Sequence, residues 1–126
     1  MTNKLSDAEF EIMKILWEKA SPMTSGEILE AFNGNLGWKL SSLMTVLERM
    51  AKKDYVHCDR STRTNYYTAT VAEDEYKAWE SESLLHKLFE KSATKFIASL
   101  CEEDKISKDE IENLKEYLDS LGRDAE

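Results

Sequence analysis

Residues 39–67 read KLSSLMTVLERMAKKDYVHCDRSTRTNYY and hold six Lys/Arg against three Asp/Glu, in a chain whose formal net charge is −8. Ser41, Ser42 and Thr45 offer hydroxyls there, Lys39, Arg49, Arg60 and Arg63 offer cations, and Met44 offers an apolar tip. Such groups suit phosphate oxygens and base edges rather than the making of covalent bonds. Bond-making chemistry leaves other spacings, and none occurs: there is no GxGxxG, GxxxxGK, HExxH or GxSxG. His57 and His86 stand far apart, and Cys58 and Cys101 are isolated, with no CxxC pair to begin a zinc set. Catalytic residues, a metal and a cofactor are therefore not expected, and the chain does not read as an enzyme.

The elements that must position these residues are legible from periodicity. Leu43, Val46, Leu47 and Met50 follow the i, i+3, i+4, i+7 pattern, which gathers them on one face of a helix over about residues 40–53 and turns Ser41, Ser42, Thr45 and Arg49 elsewhere. The period then changes to that of strands: YVHCDR and TNYYTAT flank a short polar loop, which predicts a hairpin over about 55–69. Upstream, Ser6 with Glu9 and Thr24 with Glu27 have the spacing of capping boxes. They predict a helix over 6–19, with Phe10, Ile12, Met13, Leu16 and Trp17 as its apolar residues, and a short second helix carrying Ile28, Leu29 and Phe32 and ending near NGN at 33–35. Three helices followed by a two-stranded ribbon is the order of a winged helix-turn-helix, whose third helix enters the major groove while the basic loop touches the backbone.

Residues 71–126 read as a helical arm. They carry eight Lys/Arg against sixteen Asp/Glu, so the net negative charge of the chain lies there. Tyr76, Trp79, Leu84, Leu88, Phe96, Leu100, Ile111, Leu114, Leu118 and Leu121 supply apolar stripes, and Ser107 with Glu110 begins a last helix expected to stop at Gly122. Stripes of this kind want a partner, and the expectation is a two-fold homodimer. The fold class expected is mainly α with a small β-hairpin: a winged helix-turn-helix DNA-binding domain over 1–70 and a helical dimerisation region over 71–126. No run approaches the roughly 18 apolar residues of a membrane span, and the first ten residues lack the pattern of an export signal, so a cytoplasmic protein with no membrane partner is expected.

The stretches KLSDAEFEIMKILWEK, TSGEILEAF, SSLMTVLERMAKKDYV and NYYTATVAEDEY, in that order, resemble the penicillinase repressor family, the BlaI/MecI/CopY group of bacterial transcriptional regulators. Ala8, Glu9, Met13 and Trp17 stand where the family carries AEW-x-V/I-M-x-x-x-W, with Phe10 in place of the first aromatic. The resemblance covers about residues 5–121. It implies a dimeric winged-helix repressor on dyad-symmetric operator DNA, released by proteolysis in the arm or, in the copper branch, by metal at a cysteine motif. Ser99 and Leu100 occupy the place of the family's Asn-Phe cleavage dipeptide, and CxC repeats are absent, so the resemblance leaves a small-molecule inducer or a regulatory protease open. The family's Lys-Thr-Ile-Arg/Lys-Thr run aligns with residues 41–45, where Ser41 and Met44 replace the two cations. The altered pair keeps a second expectation in play: a winged-helix protein-interaction module that has lost specific DNA binding.

Overall fold

A computed structural model describes residues 3–19, 22–32 and 37–124. The elements run α1 (Asp7–Lys19), β1 (Met23–Thr24), α2 (Ser25–Phe32), α3 (Leu40–Lys52), β2 (Val56–Asp59), β3 (Tyr66–Ala69), α4 (Glu73–Phe89), α5 (Ala93–Glu102) and α6 (Lys108–Asp124). Two compact units divide the chain, Met1–Glu80 and Ser81–Glu126.

Local chemistry sets the helix starts. The Ser6 amide donates to Glu9 Oε1 at 2.8 Å while the Glu9 amide donates to Ser6 Oγ at 3.3 Å, so each residue caps the other's orphan donor. Thr24 and Glu27 do the same for α2 at 2.9 and 3.1 Å. At α6, Ser107 Oγ accepts the Glu110 amide at 3.1 Å. This helix runs on to Asp124 rather than stopping at Gly122: Gly122 does not adopt the positive φ of a helix terminator and continues the helix instead. The expected end of α2 near NGN lies outside the described residues.

In the first unit, Ile12, Met13 and Leu16 of α1 meet Ile28 and Phe32 of α2 and Leu43, Val46, Leu47 and Met50 of α3 in one core, which Tyr55, Val56 and Tyr67 join from the hairpin. The hairpin strands are antiparallel, in register from Val56↔Ala69 to Asp59↔Tyr66. A strand that periodicity does not reveal, β1, pairs Met23↔Tyr67 and Thr24↔Tyr66 and makes a sheet of order β1-β3-β2. Two residues carry no alternation to read.

The first unit also takes in the start of α4. Tyr76, expected on the dimerisation surface, is fully buried: its hydroxyl accepts the Leu5 amide at 2.9 Å, and its ring lies 5.7 Å from Tyr55, 6.1 Å from Phe10 and 6.2 Å from Trp17, centroid to centroid. Trp79 is half-buried against the same core, 5.8 Å from the Tyr76 ring. A helical stripe identifies residues that seek apolar company without saying whose, and here the winged-helix core supplies it for these two.

In the second unit no described residue is buried. Phe96, Leu100, Ile111 and Leu114 are half-covered, with the Phe96 ring 5.3 Å from Phe89, while Leu84, Leu88, Leu118 and Leu121 are exposed. No described helix is long and apolar enough to cross a membrane.

Candidate nucleic-acid interface

The burial of Leu43, Val46, Leu47 and Met50 leaves Ser41, Ser42, Thr45, Glu48, Arg49 and Lys52 on the open side of α3. Lys39 is the residue before the helix, in extended conformation (φ −88°, ψ 151°), and gives no side-chain cap; the first turn has no acid. The capping boxes of α1 and α2 thus have no counterpart at α3, whose first amides and the Lys39 ammonium together make a positive end suited to a phosphate. Thr45 Oγ1 donates to the Ser41 carbonyl at 3.1 Å. With its proton committed, the Thr45 hydroxyl is left as an acceptor, fit for the amino group of adenine or cytosine in a major groove.

Lys39, Arg49, Lys52, Arg60 and Arg63 make no ion pair among the described residues. Lys53, the next cation in sequence, differs. Its Nζ lies 3.0 and 3.1 Å from the two carboxylate oxygens of Glu9, a side chain with no exposed surface. Burial pushes the Glu9 carboxyl up, but the Ser6 amide, the Lys53 ammonium and the Ser6 hydroxyl outweigh it and hold the group below the usual glutamate range. This ties the C-terminal end of α3 to the N-terminal end of α1. Sequence reasoning found the cap of Glu9 and missed its cation, because the partners stand 44 positions apart.

The loop between β2 and β3 displays Arg60, Ser61, Thr62 and Arg63 to solvent. It is braced from within: Asp59 Oδ1 accepts the Ser61 amide at 2.9 Å, and Thr62 Oγ1 donates to the Thr64 carbonyl at 2.8 Å. The Ser61 hydroxyl and amide hold the Asp59 carboxyl low. A hydrogen bond to the Cys58 side chain, at the base of the wing, moves the Arg60 guanidinium further above its ordinary value.

Met44 occupies the seam between α3 and the wing. It is half-buried, and the buried Tyr67 hydroxyl points at its Sδ from 3.9 Å. Burial, then the Cys58 contact, pushes the Tyr67 phenol up, so its proton stays available to the thioether. The other ring of the pair, Tyr66, is exposed.

A core-packed helix with an open polar face, followed by a braced hairpin that presents arginines, defines the protein as a winged helix-turn-helix. The penicillinase repressor family model matches residues 5–120, and the chain belongs to that family. The penicillinase repressor of Bacillus licheniformis is 28% identical over 116 residues, 92% of this chain and 90% of that one. The methicillin resistance regulatory protein MecI of Mammaliicoccus sciuri is 26% identical over 117 residues, 93% of this chain and 94% of its own length. Among solved structures, the Bacillus licheniformis BlaI monomeric form in complex with the blaP half-operator superposes with a TM-score of 0.51 at 28% identity, over 60% of this chain and 92% of that one.

Proposed function

We propose that the chain is a transcriptional repressor that binds double-stranded operator DNA as a homodimer, with α3 in the major groove and the wing on the flanking backbone. The observation that carries this reading is the open face of α3. Ser42, Thr45 and Arg49 are free of core duties beside an uncapped, lysine-bearing helix start, and Arg60 and Arg63 stand on a loop already held in shape. Family membership and the likeness to a repressor solved on a half-operator support it. The arm supports the dimer: Leu84, Leu88, Leu118 and Leu121 are exposed in a single copy, and a twin presents the same stripe. Two copies related by a dyad read a dyad-symmetric operator with half-sites whole helical turns apart. In this reading the protein works in the cytoplasm without catalysing a reaction, and it is released by a small molecule or a protease.

Fluorescence anisotropy tests the proposal, using the duplex upstream of the protein's own coding region and a scrambled duplex at two salt concentrations. Tight binding to the first alone, weakening steeply with salt, is expected. Weak binding indifferent to salt and sequence would instead favour a winged-helix protein-interaction module, to which Ser41 and Met44 in the place of cations would then be the clue.

A further inference from the structure

Among the described residues of the first unit, the large hydrophobic side chains left exposed are Leu40 and Tyr66, at 46% and 38%. Both stand on the elements assigned to DNA, since Leu40 opens α3 and Tyr66 opens β3. Leu40 belongs to no part of the core that the rest of α3 builds. It lies one turn before Met44, so the two share a strip along the first half of the helix, between the buried face and the side that carries Ser41 and Thr45. Tyr67 steadies the inner end of that strip through the Met44 thioether, and Lys39 and Ser41 are the chain neighbours of Leu40 at its outer end. The first turn of such a helix is where base edges are met in helix-turn-helix complexes.

We propose that Leu40, backed by Met44, is a specificity residue that reads the 5-methyl group of thymine. Thymine is the base that offers an apolar group in the major groove, and aliphatic side chains recognise it by contact alone. The assignment rests on the DNA-binding reading above. It gives a role to an apolar side chain that water would otherwise surround.

The test starts from duplexes enriched out of a random pool by the full chain, in which each thymine is replaced in turn by deoxyuridine. That exchange removes the methyl group and keeps the O4 acceptor. At a thymine of each half-site, the loss of the methyl should weaken binding by about three- to fivefold. Leu40→Ala, a change at an exposed side chain, should abolish this sensitivity while leaving the salt slope unchanged. Equal deoxyuridine losses in the variant and the parent, or no loss at any thymine of an enriched duplex, would overturn the proposal and leave DNA binding standing. Failure to enrich any duplex would overturn both.

Discussion

Replacing Lys53 by Met should damage the fold more than replacing Glu9 by Gln, although the two changes break the same ion pair. Removing one partner of a fully buried pair costs about 3–5 kcal/mol, because the other is left charged and desolvated. Glu9 has no exposed surface and Lys53 about a quarter (24%), and Glu9 keeps its two bonds to Ser6 after Lys53 is gone. Lys53→Met should therefore fall at the lower edge, at about 2–3 kcal/mol. Glu9→Gln leaves an acceptor for the Ser6 amide and a lysine able to turn to water, so about 1 kcal/mol is expected. The double variant should cost less than the sum, by about 1–2 kcal/mol of coupling. Urea unfolding followed by the fluorescence of Trp17, Trp38 and Trp79, at fixed protein concentration, measures all four corners of the cycle. The pH dependence gives an independent arm. A carboxyl held low in the folded state stabilises the fold above its unfolded value of about 4.3 and loses that contribution as pH falls through the folded one. The advantage of the parent over Glu9→Gln should thus fade below about pH 4.3 and persist at neutral pH. Equal costs for the two single variants, or an advantage that does not decline as pH falls below about 4.3, would refute the reasoning.

Exchanging Arg60 and Arg63 together for Ala should weaken binding almost evenly across sequences and lower the salt slope by about two per protomer, about four for the dimer, as measured by anisotropy over a salt series. Thr45→Ala should change which bases are preferred more than it changes the salt slope, read from the same titrations on single-base variants of the operator. Leu118 and Leu121, both exposed in a single copy, should when changed to Ser shift sedimentation towards the monomer and leave the melting of the winged-helix unit intact. At alkaline pH the buried Tyr76 should contribute in the opposite sense to Glu9. Burial pushes its phenol up, helped by Glu80 and opposed by the Leu5 amide. Its contribution is complete below about pH 10 and is lost as pH rises beyond that, so the difference between the parent and Tyr76→Phe should shrink above pH 10 in thermal melts.

Much of the DNA-facing half is legible because its signals are local. The i, i+3, i+4, i+7 set on α3, the two capping boxes and the change of period at Tyr55 each involve residues within a few turns of one another, and all reappear in the structure. What sequence reasoning misses is long-range. The Glu9–Lys53 pair, the Tyr67–Met44 contact and the β1 strand depend on where the chain returns to, which no window of neighbours records. Tyr76 makes the same point from the other side. Its spacing with Trp79 belongs to the α4 stripe, yet its hydroxyl answers an amide 71 positions away at Leu5. Leu40 falls outside the core pattern of α3, and its exposure in the fold is what singles it out.

The bare start of α3 has a consequence for the free protein. Helices α1 and α2 complete their own first turns with side chains, whereas α3 begins at Lys39 with no such closure. In the proposed reading, a backbone phosphate at the edge of the groove would supply what the chain withholds, and the operator would then complete the fold as well as being its target. Off DNA, the amides of Leu40, Ser41 and Ser42 should exchange with solvent early, as a frayed end does. On DNA they should become protected, and the melting point of the whole winged-helix unit should rise with operator concentration.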